Sequence, residues 1–303
     1  MKYYLIAGEA SGDLHGANLA RALKKADPMA RFRFWGGDEM AAILGPPRKH
    51  IKDLAFMGFW EVVKNLPAIL ANFRFCRADI RDFQPDVLIL IDYPGFNLRM
   101  AKWAKKAGIR VFYYISPQLW AWHSSRAKTV RDCVDEMFVI LPFEKDFYKK
   151  YDLDVHFVGH PLLDVTEHFR ASENLRLFAP TAPFSEAVAA DTPKEKRIAL
   201  LPGSRRQEIR NMLPVMLEVA MQFPDYQFVV AEAPAMDSAV YARIFEDFFA
   251  RHGHLPHLKT TRNQTRLLLA HSTAALVTSG TATLETALFE VPQVVCYKGN
   301  GLS

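Results

Sequence analysis

Short apolar runs alternate along the chain with longer segments whose apolar residues recur at helical spacing. The runs are YYLIA (3–7), FRFWG (32–36), VLILID (87–92), VFYYI (111–115), MFVIL (137–141), VHFVG (155–159), IALLP (198–202), YQFVVA (226–231), AALVTS (274–279) and QVVCY (293–297). They are rich in β-branched and aromatic residues, the composition of strands. Several are apolar throughout, as strands buried on both faces are. Strand and helix in regular alternation predict an α/β fold with parallel sheets covered by helices.

The alternation breaks once. Residues 161–195 open with Pro161 and continue through APTAPFSEAVAADTPKEK, rich in Pro, Ala and acid. A short helix fits 164–177, and the rest reads as linker. Two α/β units follow from this, 1–160 and 196–303. No fixed-period repeat is present. The chain stops just after a strand, at Gly299-Asn300-Gly301-Leu302-Ser303. A doubly wound unit covers its last strand with a helix, so the expectation is that part of the natural chain lies beyond Ser303.

Composition narrows the class. Half the residues are hydrophobic and 23% are charged, enough for packed cores and unlike a disordered chain. Cys76, Cys133 and Cys296 are far apart and odd in number, so they form neither a disulfide framework nor a zinc motif. The longest stretch without Lys, Arg, Asp or Glu, 267–284, contains His271, Gly280 and several hydroxyls. It is not the apolar run of about 20 residues that a membrane span needs. The N-terminal apolar stretch is too short for a signal peptide. The net charge of +5 is uneven: residues 1–160 hold 24 Lys/Arg against 18 Asp/Glu, and the remainder hold 14 against 15. An anionic partner of the first half and a plain solvated basic surface both fit.

Six stretches could carry chemistry. GEASGDLHG (8–16) follows the first strand, where α/β sheets bind ligands. Gly8, Gly12 and Gly16 permit a tight turn and close backbone approach, Ser11 lies in the same loop, and Asp13 can cap the next helix. It is neither a P-loop nor G-x-G-x-x-G, and a structural turn fits as well as a ligand loop. LPGSRRQEI (201–209) follows another strand. Read as a helix opened by Gly203 and Ser204, it puts Arg205 and Arg206 in the first turn, against the helix dipole. An anion such as a diphosphate at that terminus explains them, and two exposed surface arginines are the alternative. TSGTATLE (278–285) offers Ser279, Gly280 and Thr281 at a strand-to-helix turn, with Glu285 in the helix. A carboxylate there suits ribose hydroxyls, and an ordinary capped helix is the alternative.

LIDYPGFN (90–97) places Asp92 at the end of an apolar strand. Partial desolvation would raise its pKa toward that of a general base, and a helix cap is the alternative. SPQLWAWHSSR (116–126) sets two tryptophans after a strand, suited either to a sugar or to the core. FMGFWEVVKNLPAILANFRFCR (56–77) combines large apolar residues with Lys64, Arg74 and Arg77 against Glu61 alone. An interfacial helix pair on an anionic bilayer and two ordinary amphipathic helices fit it equally. HGHLPH (252–257) and Asp152-Leu-Asp154 match metal-linked patterns, but each sits in a polar loop or turn that explains it better.

Taken together these stretches resemble the lipid-A-disaccharide synthases. AGEASGDLHGA, FMGFWEVV, LIDYPGFN, SPQLWAW, ILPFEKDFYKKY, VGHPLLD, LPGSRRQEI and SGTATLETAL occur in that family's order, spanning residues 3 to 298. The resemblance implies two Rossmann-like domains of the GT-B glycosyltransferase architecture, the second incomplete at its C-terminus. It implies an inverting reaction that needs no metal and no cofactor. The donor is UDP-2,3-diacylglucosamine and the acceptor is 2,3-diacylglucosamine 1-phosphate (lipid X). The products are the β-1,6-linked lipid A disaccharide phosphate and UDP. Asp92 takes the place of the essential carboxylate, the general base. Arg205 matches the arginine near the diphosphate and Glu285 the ribose-binding acid. Gly203, Ser204, Ser279, Gly280 and Thr281 surround the UDP, and Gly8, Ser11 and Gly12 form the cleft loop. Arg206 and His15 have no family counterpart, so Asp92 is preferred to His15 as base. The resemblance further implies a cytoplasmic protein, peripheral on the inner face of the Gram-negative inner membrane through 56–77. It implies no nucleic acid partner, and a homodimer where the C-terminal segment is present.

Two other readings compete. A UDP-N-acetylglucosamine 2-epimerase shares the architecture, but a soluble sugar needs neither the Trp-rich loop nor the apolar 56–77 stretch. A chain lacking its last segment could instead bind UDP or membrane without catalysis.

Overall fold

The computed structural model describes residues 1–54, 66–122, 124–173, 196–234 and 236–298. The chain divides into two compact units, Met1–Pro161 and Leu162–Ser303.

In the first unit β1 (Lys2–Ala7), α1 (Ala10–Ala26), β2 (Arg31–Gly36), α2 (Asp38–Leu44) and β3 (Lys49–His50) come first. Then follow α3 (Leu66–Phe83), β4 (Val87–Ile91), α4 (Pro94–Lys106), β5 (Arg110–Tyr114), α5 (Leu119–Trp122), α6 (Ala127–Cys133), β6 (Glu136–Val139), α7 (Glu144–Lys149) and β7 (His156–Phe157). The strands form one parallel sheet in the order β3-β2-β1-β4-β5-β6-β7. Side chains alternate across it, as strand geometry dictates. Tyr4 and Ile6 enter the core shared with α3, α4 and α6, while Tyr3, Leu5 and Ala7 enter the core shared with α1 and α2. Both faces are covered, which is why VLILI of β4 is fully buried.

The second unit contains α8 (Pro161–Glu173), β8 (Arg197–Leu201), α9 (Arg206–Met221), β9 (Gln227–Glu232) and α10 (Ser238–His252). It continues through β10 (Leu258–Arg262), α11 (Thr265–Ala270), β11 (Ala274–Thr278), α12 (Thr281–Leu288) and β12 (Gln293–Cys296). Its parallel sheet runs β10-β9-β8-β11-β12. Leu200, Phe228 and Val230 pack under α9 and α10, whereas Ala199, Leu201, Val229 and Val277 pack on the α11 side.

Several expectations need correction. VHFVG (155–159) supplies only the two residues of β7, because Gly159 turns with a φ of 81°. Asp92 lies outside β4, and the next helix, α4, begins at Pro94. Residues 161–173 form a helix, and Phe169 packs edge-on against Phe289 at 5.5 Å. The remaining linker residues, 174–195, lie outside the described residues, as do 56–65 of the 56–77 stretch. The rest of that stretch is the first part of one helix, α3, whose Phe73, Cys76, Ile80 and Phe83 are buried at helical spacing. Leu70 and Phe75 of the same helix remain exposed. No helix among the described residues is long and apolar enough to cross a membrane.

Candidate functional site

Each sheet has one switch point, where the strand order reverses and a crevice opens beyond the strand ends. In the first unit it lies between β1 and β4, whose ends pair as Ala7 with Ile91. The loops leaving that point are GEASGD and DYPG. In the second unit it lies between β8 and β11, paired as Leu201 with Val277. The loops there are PGSRR and SGTATLE. The topology thus sets each pair of candidate loops side by side.

Asp92 is half-buried and has a φ of 45°, and Tyr93 follows with a φ of 50°. Left-handed backbone at two successive non-glycine residues is costly, so the surroundings must hold it. They do so through main-chain atoms. The Asp92 N–H donates to the Tyr114 carbonyl at 3.1 Å. The Asp92 carbonyl accepts from Tyr113 Oη at 2.6 Å and from Asn97 Nδ2 at 2.8 Å. Asn97 and Tyr113 are both fully buried. Burial, followed by the nearby Asp92 and Tyr148, pushes the Tyr113 phenol well above its ordinary value, so it remains a donor. Tyr93, not Asp92, is the N-cap of α4, with Pro94 in the first turn.

The neighbouring loop interlocks with this one. A Cβ on Gly8 would lie 2.3 Å from the Tyr93 ring, so it is the missing side chain that matters there rather than a tight turn. A Cβ on Gly12 would meet only ordinary contacts, the nearest 3.4 Å away at Ala7. Ser11 and Gly12 lie in the first turn of α1. Asp13 does not cap that helix. It is buried and accepts from the N–H groups of Gly37, Glu39 and Met40, capping α2 instead. His15 is buried as well, and its Nδ1 has no hydrogen-bond partner among the described residues. Burial, and then His160, lower its pKa to about 4, so the ring is neutral near pH 7 and a weak base.

The Trp-rich loop leaves from β5. Ser116 is buried and bonds the Tyr148 hydroxyl at 2.6 Å. Glu144 accepts from the N–H groups of Ile140 and Leu141, and burial raises its pKa. The ILPFEKDFY motif thereby braces this loop. Trp120 stays 42% exposed, edge-on to Phe143 at 5.1 Å. His123 lies outside the described residues.

In the second unit α9 begins at Arg206, with Arg205 as N-cap, so Gly203 and Ser204 do not open the helix. The anion expected at this terminus is already supplied by the chain. Glu208 accepts from Ser204 N–H at 3.1 Å and Arg205 N–H at 3.3 Å, and it pairs with the Arg205 side chain at 3.2 Å. Gly203, at φ 113°, makes room for it, since a Cβ there would lie 2.7 Å from Glu208 Oε2. Across the switch point Ser279, Gly280 and Thr281 are exposed at the start of α12, and Gly280 is its N-cap without a side-chain bond. The Thr278 hydroxyl beside them is buried without a partner among the described residues. Glu285 accepts from Arg266 Nε at 2.9 Å.

Sequence reasoning missed Asn97, Tyr113, Glu208 and Arg266. The Arg205-x-x-Glu208 spacing is that of a capping box, hidden because arginine is an unusual N-cap. Arg266 carries no local signal, since its partner lies on another helix. The histidines of 252–257 serve packing: His252 stacks on Phe248, and His257 contacts Phe228 and bonds the Ala220 carbonyl.

Solved structures share this fold. The UDP-GlcNAc 2-epimerase from Neisseria meningitidis superposes with a TM-score of 0.69 over 97% of this chain and 82% of its own, at 15% identity. The glycotransferase of kitacinnamycin gives 0.58 over 99% and 81%, again at 15%. At that identity the likeness shows the architecture alone, two Rossmann-like units of the GT-B type. Sequence relatives are far nearer. The lipid-A-disaccharide synthase of Syntrophus aciditrophicus (strain SB) is 42% identical over 99% of this chain and 75% of its own length. That of Trichlorobacter lovleyi is 40% identical over 97% and 74%. The family model described as lipid-A-disaccharide synthetase matches residues 3–303. On that match and those identities, the chain belongs to the lipid-A-disaccharide synthase family.

Proposed function

We propose that the protein is a hexosyltransferase that condenses UDP-2,3-diacylglucosamine with 2,3-diacylglucosamine 1-phosphate. The observation that carries the reading is the family match across the whole chain, with its motifs at the two switch points. The acceptor's 6-hydroxyl attacks the donor's anomeric carbon from the side opposite UDP. The new C–O bond forms as the bond to the diphosphate oxygen breaks, its electron pair leaves with UDP, and the configuration inverts. Asp92 takes the hydroxyl proton. Its main chain is clamped by Tyr113 and Asn97, which fixes the backbone that carries the carboxylate. UDP departs toward Arg205 and the N–H groups of Ser204 and Arg205, which Glu208 holds in the free protein. Glu285, Ser279, Gly280 and Thr281 hold the ribose and uracil side.

The acyl chains call for an apolar surface, and the exposed Leu70 and Phe75 with Arg74 on α3 support a peripheral position on the inner face of the membrane. The test is disaccharide formation from detergent-solubilised donor and acceptor. Product dependent on both acyl substrates supports the reading. Conversion of UDP-N-acetylglucosamine to its 2-epimer, with no disaccharide, would replace it by the epimerase reading.

A further inference from the structure

Helices α3 and α4 meet through an aromatic ladder. Tyr93 stacks on Phe96 at 5.8 Å, and Phe96 stacks on Phe73 at 4.3 Å. Beyond Phe73 the ladder ends in arginines. Arg77 lies over Phe73 and Trp103 at 5.9 and 5.8 Å, Arg81 over Trp103 at 5.4 Å, and Arg99 over Phe73 at 5.8 Å. Three guanidiniums from two helices therefore share two rings.

Some other cations of this unit are matched by acids. Arg33 and Arg48 both reach Asp79, and Lys105 reaches Asp135. Arg77, Arg81 and Arg99 have no carboxylate partner among the described residues, and the Nε of Arg77 is buried without any acceptor. Like charges at i and i+4, as in Arg77 and Arg81, repel. The ring contacts hold the guanidiniums in place, and no ion pair among the described residues offsets their charge. A guanidinium lying over a ring uses its face in that contact and keeps its N–H edge for a planar or tetrahedral oxyanion. Arg81 and Arg99 are exposed and Arg77 is half-buried, so a ligand can reach all three.

We infer that Arg77, Arg81 and Arg99 form a binding site for a phosphate group on the joined face of α3 and α4, distinct from the residues assigned to sugar transfer. A phospholipid headgroup and a free phosphate present the same chemistry. The lipid source rests on the membrane part of the proposed function, because the exposed Leu70 and Phe75 share α3 with two of the arginines. The site itself does not rest on it.

The experiment compares the wild type, the triple variant Arg77→Gln/Arg81→Gln/Arg99→Gln, and a charge-matched control on the outside of α1, Arg21→Gln/Lys24→Gln/Lys25→Gln. Inorganic phosphate is titrated at constant ionic strength and followed by thermal shift and calorimetry. Phosphatidylcholine vesicles with and without phosphatidylglycerol are used in co-sedimentation. Phosphate raises the melting temperature of the wild type and the control but not of the triple variant. Vesicles containing phosphatidylglycerol bind the triple variant about a hundredfold more weakly than the wild type, and the control is affected far less. Phosphate binding lost in the triple variant without any vesicle binding by the wild type keeps the site and removes the lipid source. Vesicle binding lost without a phosphate response assigns the site to a headgroup. Equal losses in triple variant and control, or none in either, overturn the inference. Should the triple variant fail to fold, Arg99→Gln alone, at an exposed position, is read against the same two probes and the same criteria.

Discussion

The hydroxyl of Tyr113 donates to the main-chain carbonyl of Asp92 at 2.6 Å, from the strand next to the one that Asp92 follows. The bond fixes the carboxylate's backbone without touching the carboxylate. Tyr113→Phe removes it and leaves Asn97 as the second donor. The expected cost is about 1 kcal/mol of stability and about tenfold in kcat, with UDP affinity unchanged. Denaturation, turnover and UDP titration on one preparation check all three. Unchanged kcat would show that the clamp does not position Asp92.

Gly8 and Gly12 look alike in sequence but differ in space. Gly8→Ala drives a Cβ into the Tyr93 ring and is expected to cost about 1–3 kcal/mol. Gly12→Ala places a methyl at ordinary contact distance inside a helix and is expected to be neutral or to stabilise by up to about 1 kcal/mol. Paired thermal melts decide this, and equal effects would contradict the contact geometry.

Glu208 is a carboxylate where the reading puts a diphosphate. Glu208→Gln weakens the cap and is expected to lower stability by about 0.5 kcal/mol. The same change removes a competing charge, so UDP is expected to bind about threefold more tightly. Calorimetric titration of UDP measures this, and weaker binding would mean that Glu208 does not compete with the ligand.

His15 makes stability depend on pH. Its pKa falls from 6.5 to about 4 on folding, so between those values the unfolded chain binds a proton that the folded protein does not. Stability from this residue is complete above pH 6.5 and is lost as pH falls toward 4, with a slope of at most about 1.4 kcal/mol per pH unit. His160, lowered by its own burial, acts with the same sign. Urea midpoints across pH 4.5–7 should fall with acid in the wild type (a range set by the two limiting values), and fall less in His15→Leu. Parallel curves would place the titration elsewhere.

Much of this was legible in the sequence for a physical reason. Fully apolar strands such as VLILI announce a sheet buried on both faces, and glycine with hydroxyls after a strand announces a loop at a sheet's ligand edge. The pairing of those loops at switch points needs strand order, which depends on long-range contacts. Lys49–His50 and Leu258–Arg262 fall outside the predicted strands because edge strands carry little apolar signal. Asp13 reads as a local cap, but its oxygens serve a helix more than twenty residues away. Tyr113 and Asn97 support Asp92 through main-chain atoms, and no spacing rule encodes that.

The central claim is that Asp92 takes the acceptor's proton in a sugar transfer. The most direct measurement is disaccharide formation by Asp92→Asn beside its affinity for UDP. The account predicts turnover reduced by about a thousandfold with UDP bound as in the wild type. Turnover near the wild-type rate would contradict it and remove Asp92 as the base.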